Sequence, residues 1–541
     1  MNHIILTGFM GTGKTSVGRQ VARRLRRPFL DMDAEIAAQV GKPIPRIFAE
    51  DGEAAFRALE TRLCKGLSRR RGLVIATGGG TLVNPANRDL LLKNNRVICL
   101  NCHPDEILRR LEGSADRPLL AVADPRAEVE RLLEARHGAY ASLPWQIDTT
   151  GLSLEAVVAQ VLELAAVITL DVRYASQARD ESAYPVHVGR GVLSHLGDVV
   201  RAAGAAEGSV VAVVCPPPVA RHHLARAEAS LRAAGLAPFT CSLPDGEVHK
   251  TLATVAGLYE QWLAGGLDRT GTVVALGGGV TGDVAGFAAA TYMRGVRLVQ
   301  VPTTLLAMVD ASVGGKTGVD LPHAKNIVGA FKQPAAVVID PDVLSTLPAA
   351  EMRSGLAEVI KHGIIGAPEL FAELQAGEGA GAATALSSWW SERGAARIAW
   401  ALQVKIQIVE QDPFEQGRRA VLNLGHTTAH ALEQLSGYTM RHGEAVAIGL
   451  VAAARIAEWL GRAKPPLAEN IEAVLAAWGL PVRCPPYPVE AIWQAMGHDK
   501  KRRGKALRWV LPHAIGRVEI TEDVPRETVW DVLCSLGARR E

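Results

Sequence analysis

Cysteine, aromatic residues and a charge excess of either sign are all scarce in this sequence of 541 residues. Its seven cysteines are few and odd in number, which argues against a disulfide framework and fits a reducing cytoplasm. The net charge of +3 is far from the basic excess of a nucleic-acid-binding protein, so no nucleic-acid partner is expected. Because 48% of the residues are hydrophobic, the composition also excludes a disordered chain.

Long uninterrupted hydrophobic runs are missing as well. The stretch LSLEAVVAQVLELAAVITL is broken by Glu155, Gln160 and Glu163, and falls short of the roughly 20 apolar residues of a membrane span. The N-terminal MNHIILTGFM is typical of a strand rather than of a signal peptide. We therefore expect a soluble, cytoplasmic protein that has small-molecule partners and no membrane partner.

Two series of strand-like runs divide the chain. Up to about residue 166, HIILTG, GLVIATG and RVICLN alternate with amphipathic helical patterns, which predicts a parallel α/β sheet with helices on both faces. A second series begins at TLDVRY and reaches residue 343, after which the pattern is almost wholly helical. The sequence thus predicts an α/β protein with domains at 1–166 and 167–541. The second domain would have an α/β half (167–343), an all-helical half (344–541) and a ligand cleft between them.

The segment GFMGTGKTS at residues 8–16 matches GxxxxGK[ST] completely, directly after a strand-like run and before a helical one. In such a loop the backbone N–H groups bind phosphate oxygens, and a lysine adds positive charge near the β- and γ-phosphates. Lys14 would be that lysine, and Thr15 would hold Mg²⁺. The predicted ATP-binding residues are Gly11, Thr12, Gly13, Lys14, Thr15 and Ser16.

The segments FLDMD, AAFRALE, ATGGGT and ADRPLL follow the loop in order, and together they resemble the shikimate kinase family over nearly all of residues 1–165. The resemblance implies a P-loop kinase domain that uses ATP and Mg²⁺ to phosphorylate the 3-hydroxyl of shikimate. Shikimate would be held by Asp33, Arg57, Gly79 and Arg136, the arginines pairing with its carboxylate. Asp31 would support Mg²⁺ or the acceptor hydroxyl. Arg117, in a lid around 111–125, would bind ATP and act with Lys14 and Asp33 as a catalytic residue.

A second glycine motif, ALGGGVTGD, places Gly277, Gly279 and Gly282 at GxGxxG spacing between a strand-like and a helical run. A dinucleotide pyrophosphate can rest there, but no acidic residue ends the next strand to bind a ribose, and a plain tight turn explains the motif about as well. SVGGKTG does not form a second P-loop, because Asp310 stands where the first glycine is needed.

Charged and polar side chains interrupt apolar stretches after residue 290. Buried charge is costly unless it is paired, ligating or catalytic, so these residues predict a site for an anionic, phosphorylated substrate beside a metal. They are Arg294, Asp310, Lys316, Lys325, Asn326, Glu358, Lys361, Lys405, Arg419, Asn423, His426, His430 and His442. Glu358, His426 and His442 supply the one oxygen and two nitrogens of a catalytic zinc site. On the residues alone, His362 or His430 can replace any of the three.

The segments DGEVHKT, GGGVTGD, VPTTLLAMVDASVGGKTG, KNIVGAF, GLAEVIKHG, LNLGHTTAH and RHGEAVA, in this order, resemble the 3-dehydroquinate synthase family of sugar phosphate cyclases over about 170–541. The resemblance implies conversion of 3-deoxy-D-arabino-heptulosonate 7-phosphate to 3-dehydroquinate and phosphate, with NAD and Zn²⁺, or another divalent metal such as Co²⁺. It also implies a homodimer formed through this domain, in which Arg294 would reach across the interface.

The same resemblance implies residue roles in this domain. NAD would contact Asp245, Gly246, Glu247, Lys250, Gly279, Val280, Thr281, Gly282, Asp283, Thr303, Thr304, Lys316, Lys325 and Thr346. Zinc would bind Glu358, His426 and His442, which leaves His430 in the substrate pocket. The substrate would contact Arg294, Asp310, Lys316, Asn326, Lys361, Lys405, Arg419, Asn423 and His430, with one of Lys500 and Lys501. Asp310, Lys316, Lys361 and His430 would be catalytic.

Two other functions fit parts of these patterns. A cyclase that makes a valiolone-type product would share the NAD and zinc motifs, but a fused shikimate kinase favours one route to aromatic amino acids. A regulatory protein with inactive sites would not need Lys14, Thr15, Lys316 and the three proposed zinc ligands, all of which are intact.

Overall fold

The computed structural model describes residues 2–112, 124–175, 181–321, 324–377, 383–498 and 507–540. The chain forms two compact units. The first consists of Met1–Val167 and Ser194–Glu207, and the second of Ile168–Leu193 and Gly208–Glu541. Among the described residues, no helix is both long and apolar enough to cross a membrane.

The first unit is built on a parallel sheet, which confirms the predicted α/β class. Its described strands are β1 (Ile4–Gly8), β2 (Phe29–Asp31), β3 (Val74–Ala76), β4 (Arg96–Asn101) and β5 (Gln146–Asp148). Its described helices are α1 (Lys14–Leu25), α2 (Met32–Val40), α3 (Ile44–Glu50), α4 (Gly52–Leu67), α5 (Pro85–Leu92), α6 (Pro104–Leu111), α7 (Pro125–Ala141), α8 (Leu154–Ala166) and α9 (Leu196–Ala202). The strand order is β2-β3-β1-β4-β5, and every pair is parallel.

The central position of β1 explains where this unit places its polar residues. All five residues of β1 are buried, as expected for a strand that is covered on both faces. The carboxyl ends of parallel strands lie along one edge of a sheet, where ligands of open α/β folds bind. The loops that follow β1, β2 and β3 therefore meet at this edge.

The second unit contains a mixed sheet and a helical part. Its described strands are β6 (Ile168–Ala175), β7 (Glu181–Val188), β8 (Val210–Cys215), β9 (Ala237–Ser242), β10 (Thr272–Gly277), β11 (Arg297–Pro302), β12 (Lys316–Leu321), β13 (Ala324–Phe331), β14 (Ala336–Ile339), β15 (Trp509–Ala514) and β16 (Arg517–Thr521). Its described helices are α10 (Pro217–Val219), α11 (Ala225–Ala233), α12 (Leu252–Ala264), α13 (Gly279–Thr291), α14 (Ala349–Gly366), α15 (Pro368–Ala376), α16 (Ala383–Gln411), α17 (His426–Leu435), α18 (His442–Trp459), α19 (Leu467–Ala477), α20 (Val489–His498) and α21 (Arg526–Leu536).

The large sheet has the order β6-β7-β14-β11-β10-β8-β9 and is parallel except for the β6–β7 pair. Apolar side chains of β8, β10 and β11 pack against α12 and α13 in one core cluster, which includes Val273, Leu298 and Trp262. Both α13 and the loop after β11 therefore begin at the carboxyl edge of this sheet, where the predicted NAD residues lie.

The helical part brings α14, α17 and α18 together by close backbone packing. A methyl group on Gly443 would lie 2.6 Å from the carbonyl carbon of Ser354, and one on Gly449 would lie 2.9 Å from the carbonyl carbon of Gly425. Gly443 therefore allows the first turn of α18 to approach α14, and Gly449 allows the start of α17 to approach the middle of α18. The part is not all-helical, however, because β15 and β16 form an antiparallel hairpin within it.

Candidate active sites

The phosphate loop of the first unit joins β1 to α1. Gly11 and Gly13 have φ angles of 78° and 92°, which residues with a Cβ rarely adopt. Thr12 is buried, and its hydroxyl donates to the carbonyl of Phe9 at 2.8 Å. Lys14 follows at the first position of α1, where its Nζ donates to the carbonyls of Gly8 and Phe9 at 2.9 and 2.7 Å. The loop thus directs a helix N-terminus and an ammonium group to one place, as phosphate binding requires.

Thr15 and Asp31 meet next to this loop. The Thr15 hydroxyl donates to Asp31 Oδ2 at 2.7 Å, and Asp31 Oδ1 accepts from the backbone N–H of Asp33 at 3.1 Å. Asp31 lies at the end of β2 and caps α2, so its position is fixed by the fold. A hydroxyl and a carboxylate beside a phosphate site are the oxygen ligands that Mg²⁺ uses in nucleotide-binding proteins. Ser16 is exposed on α1.

The predicted shikimate residues converge on the turn Gly78–Gly80 after β3. A methyl group would lie 2.8 Å from Asp33 Oδ1 if placed on Gly78, and 3.1 Å from Arg136 Nη1 if placed on Gly79. On Gly80 it would lie 2.8 Å from the Arg57 guanidinium carbon. Three side chains from α2, α4 and α7 therefore surround one glycine turn, which brings a carboxylate and two guanidinium groups to the same place.

Glu60 and Tyr140 also belong to this cluster, although the sequence reasoning missed both. Glu60 is 1% exposed and accepts from Arg57 Nη1 at 2.7 Å, and Tyr140 donates to the carbonyl of Gly79 at 2.5 Å. The spacing of Glu60 three residues after Arg57 on one helix was the available signal. Arg136 stacks over Phe9, with its Cζ 5.3 Å from the ring centroid. Arg117 lies outside the described residues.

The glycine motif of the second unit lies between β10 and α13. A methyl group on Gly277 would lie 2.6 Å from Thr281 Cβ, and one on Gly282 would lie 2.9 Å from Gln300 Oε1. The glycines therefore let α13 start directly at the sheet edge, which exposes a helix N-terminus to a pyrophosphate. The N–H of Thr303 donates to the carbonyl of Gly277 at 2.9 Å, and its buried hydroxyl has no hydrogen-bond partner among the described residues.

Other residues of the predicted NAD set pair with one another in two places. Lys250 is buried, and its Nζ lies 2.6 Å from both Asp283 Oδ2 and Asn326 Oδ1. Lys325 Nζ lies 3.5 Å from Glu247 and 4.4 Å from the ring centroid of Tyr438. Asp245 and Gly246 precede Glu247 in an exposed loop, and Val280 lies in the first turn of α13. The Thr304 hydroxyl caps the turn after β11, and the Thr346 hydroxyl forms a hydrogen bond of 2.8 Å with His223 Nε2.

Glu358, His426 and His442 form the candidate metal centre. One potential ligand atom of each lies within 4.8 Å of the others. Glu358 Oε1 is 3.7 Å from His426 Nε2 and 3.4 Å from His442 Nε2. Glu358 is fully buried, and neither of its carboxylate oxygens accepts a hydrogen bond from a described residue, although Lys361 forms an ion pair with it. A buried carboxylate that faces two imidazole nitrogens fits a divalent cation such as Zn²⁺ or Co²⁺.

The protonation of these ligands follows from their surroundings. Burial and the nearby Lys361 lower the pKa of His426 to about 3, so this imidazole is neutral. Burial alone would lower the pKa of His442, but Glu358 and Glu433 outweigh it and raise that pKa to about 10. Burial would raise the pKa of Glu358, but Lys361 and His442 hold it well below its usual value, so the carboxylate is charged.

Glu358 also belongs to a second group of potential ligands, with Asp310 and His362. His362 is fully buried, and burial together with Lys361 lowers its pKa to about 4. Lys361 pairs with Glu358, which both groups share, but the second group has in addition Lys405, which lies 2.7 Å from Asp310 Oδ1 and opposes a cation there. The geometry therefore favours His426 and His442 over His362. His430, which is exposed, is in neither group found among the described residues.

Of the remaining predicted substrate residues, Asp310, Arg419 and Lys316 each contact neighbouring groups, and only Asp310 is grouped with a residue of this centre among the described residues. Asp310 lies in a turn of π-helix at Ala307–Ala311, and Lys405 and Lys361 hold its pKa well below the usual value although burial opposes this. Arg419 donates to the carbonyls of Gly314 and Pro413 at 3.2 and 2.8 Å. Lys316 pairs with Glu415 at 2.5 Å.

Burial of the whole charged set was only partly predicted. Five members are buried, namely Glu358, Lys361, Lys405, Arg419 and His426. The expectation is wrong for Arg294, Lys316, Asn326, Asn423 and His430, which are exposed. The buried cations pair with a carboxylate or with carbonyls, which offsets the cost of removing their charge from water, whereas the exposed residues keep their solvent. Lys500 and Lys501 lie outside the described residues.

Three family models match consecutive parts of the chain. The shikimate kinase model matches residues 10–166. The model for the N-terminal part of 3-dehydroquinate synthase matches residues 240–354, and the model for its C-terminal part matches residues 355–502. The motifs that carry the two resemblances thus lie inside the matched ranges.

Individual relatives agree with these models. The 3-dehydroquinate synthase of Nostoc punctiforme is 45% identical over 355 residues, which cover 65% of this chain and 96% of that protein. The structure of 2-epi-5-epi-valiolone synthase (ValA) from Streptomyces hygroscopicus subsp. jinggangensis, with NAD⁺ and Zn²⁺ bound, has a TM-score of 0.60 at 27% identity and covers 67% of this chain and 99% of that one. A 2-deoxy-scyllo-inosose synthase with carbaglucose-6-phosphate, NAD⁺ and Co²⁺ has a TM-score of 0.59 at 25% identity, covering 68% and 99%. The chain therefore belongs to the 3-dehydroquinate synthase family, and residues 10–166 of the same polypeptide form a shikimate kinase domain.

Proposed function

We propose that this chain catalyses two reactions of the shikimate pathway, each in its own unit. The first unit phosphorylates shikimate with ATP and Mg²⁺. The second converts 3-deoxy-D-arabino-heptulosonate 7-phosphate to 3-dehydroquinate and phosphate, with NAD and a divalent metal. The observation that carries the second assignment is the buried Glu358, which lies 3.7 and 3.4 Å from two histidine nitrogens.

In the kinase reaction, Lys14 and the N-terminus of α1 bind the phosphates of ATP, and Thr15 with Asp31 holds Mg²⁺. Arg57 and Arg136 bind the carboxylate of shikimate, because planar guanidinium groups match planar carboxylates. Asp33 accepts a hydrogen bond from the ring hydroxyl that attacks the phosphate. Glu60 fixes Arg57 through its 2.7 Å contact, which keeps the guanidinium aimed at the glycine turn.

In the cyclase reaction, bound NAD would supply reversible uptake of a hydride from a hydroxyl-bearing carbon of the substrate, and a bound divalent metal would supply polarisation of the oxygen on that carbon. Glu358, His426 and His442 would hold the metal, while the turn at Gly277–Gly282 and the N-terminus of α13 would bind the pyrophosphate. Arg419, Lys316 and Asn326 bind the anionic ends of the substrate. Asp310 and His430 move protons, and Lys405 keeps Asp310 ionised.

A valiolone-type cyclase is the second candidate for this unit, since ValA shares its fold. The 45% identity to a 3-dehydroquinate synthase over 96% of that protein favours the heptulosonate reaction, as does the shikimate kinase domain. The purified chain should be incubated with NAD⁺ and Zn²⁺ and with either the heptulosonate phosphate or a heptulose 7-phosphate without the carboxylate. We expect only the first substrate to release phosphate and to form 3-dehydroquinate, and NMR should be used to detect both products. Turnover of the second substrate alone would overturn the proposal.

We also propose a cytoplasmic homodimer formed through the second unit. Support for the compartment comes from the seven cysteines, all of which are free thiols. Support for the dimer is the family resemblance and the position of Arg294, which is exposed in the turn between α13 and β11, with a φ angle of 65°. Light scattering of the purified chain should give twice the mass of 57.5 kDa, and a monomer would refute the dimer.

A further inference from the structure

Glu433 lies on α17, and none of the motifs assigns it a role. It is 8% exposed, and its Oε1 lies 3.0 Å from Nδ1 of His442. A buried carboxylate therefore touches a proposed metal ligand on the side away from the metal.

The two proposed histidine ligands share one orientation. His442 directs Nε2 toward Glu358 at 3.4 Å, and His426 directs Nε2 toward it at 3.7 Å. In both rings the other nitrogen, Nδ1, is held by an oxygen, which belongs to Glu433 for His442 and to the carbonyl of Leu424 for His426, at 3.1 Å. A ring whose Nδ1–H is donated in this way presents the lone pair of Nε2 to a metal.

The fold holds Glu433 and His442 in this contact. Glu433 lies near the end of α17, and His442 is the first residue of α18, so the connection between the two helices brings the side chains together. Gly443, next to His442, packs against the backbone of Ser354 on α14, the helix that carries Glu358. The contact therefore ties the orientation of one ligand to the helix that carries another, His426.

We propose that Glu433 is a positioning residue of the metal centre, which fixes the tautomer of His442 and strengthens its Nε2 as a ligand. This inference rests on the proposed metal centre. The two histidines then differ in ligand strength, because the carboxylate at Nδ1 of His442 increases the basicity of its imidazole more than the carbonyl at Nδ1 of His426 does. Loss of Glu433 should thus weaken metal binding although Glu433 does not touch the metal.

The test is the affinity of the full chain for Zn²⁺, measured by competition with a chromophoric chelator after removal of metal. Glu433→Ala should bind Zn²⁺ roughly 10- to 100-fold more weakly than wild type, the usual effect of losing such a partner. Glu433→Gln keeps the size of the side chain and an oxygen acceptor but loses the charge, and its affinity should lie between the two. With Co²⁺, the visible absorption bands of Glu433→Ala should shift, because the ring of His442 is no longer held.

Glu472→Gln is the matched control. Glu472 lies in the same unit, pairs with Arg455 at 2.6 Å and is also partly buried, so this variant makes the same change of charge away from the metal. Its zinc affinity should equal that of wild type. Wild-type affinity in both Glu433 variants, with an unchanged Co²⁺ spectrum, would overturn the role of Glu433 while leaving the metal centre intact. Failure of the wild-type chain to bind one Zn²⁺ would instead overturn the metal centre and this inference with it.

Discussion

The assignment of different tasks to His426 and His430 is open to a direct experiment. The two residues are four apart at the start of α17, and their ring centroids are 5.4 Å apart. Only His426 lies with Glu358 and His442 in a group of potential ligands, whereas His430 is exposed. We expect His426→Ala to lose zinc and cyclase activity together, and His430→Ala to keep zinc while losing activity.

The expected magnitudes differ enough to separate the two roles. Four-ligand structural zinc sites bind with about 10–16 kcal/mol, or roughly 2.5–4 kcal/mol per ligand. Loss of one ligand should therefore weaken Zn²⁺ binding by roughly 10²- to 10³-fold. His430 belongs to neither group of potential ligands found among the described residues, and its ring is in T-shaped contact with that of His426. His430→Ala should therefore change the affinity less than about tenfold, below the loss seen for outer partners of a metal ligand. If His430 moves a proton, its loss should lower turnover by roughly 10²- to 10⁴-fold.

Metal analysis and phosphate release should be measured on both purified variants, with circular dichroism to verify that each is folded. Zinc lost from the His430 variant and retained by the His426 variant would reverse the assignment. Equal loss from both would indicate four protein ligands, a closed site that leaves little room for substrate oxygens. Either result would refute the reasoning from the geometry.

Three further predictions concern the two units separately. Lys14→Ala should abolish shikimate phosphorylation, because the phosphates lose a charge during transfer, while the cyclase continues; loss of both activities in a folded protein would contradict autonomous units. A strong chelator should stop phosphate release until Zn²⁺ is added back, with NAD⁺ needed only in catalytic amount, and stoichiometric NADH would refute the internal redox cycle. Gly443→Ala should lower the free energy of unfolding by roughly 1–3 kcal/mol and weaken zinc binding, because the new methyl group would lie 2.6 Å from the carbonyl carbon of Ser354. A wild-type melting temperature and zinc content in this variant would contradict the packing.

The phosphate loop was predictable because its information is local. GFMGTGKTS joins a strand to a helix, and the short turn between these two elements requires the positive φ angles of Gly11 and Gly13. The parallel sheet of the first unit and the strand runs of the second were predictable for a similar reason, since buried strands read as continuous apolar runs. The β15–β16 hairpin was not predicted, because the periodicity of a short apolar run between helical patterns does not distinguish a strand from a helix or show which strand it pairs with.

Most residues of the candidate sites were predictable from the sequence, but their distances from one another were not. The family resemblance placed Glu358, His426 and His442 in one set, whereas on the residues alone His362 stayed an alternative, because residues far apart in the sequence do not reveal their distances. In the structure, the position of Lys405 beside Asp310 argues against the group that contains His362. The roles of individual residues remain predictions for the variants described above.

The sequence by itself determined the fold class of each unit and the kinds of binding site it contains. A phosphate loop, a dinucleotide turn and a set of nitrogen and oxygen ligands can each be recognised in short segments of the chain. The tertiary structure alone decided which of those groups meet. Three features depend on helix packing: the contact of Glu433 with His442, the enclosure of the turn Gly78–Gly80 by Arg57 and Arg136, and the burial of Lys361 but not of Lys316. Such contacts come from the joint packing of many side chains, and no short segment of sequence contains that information.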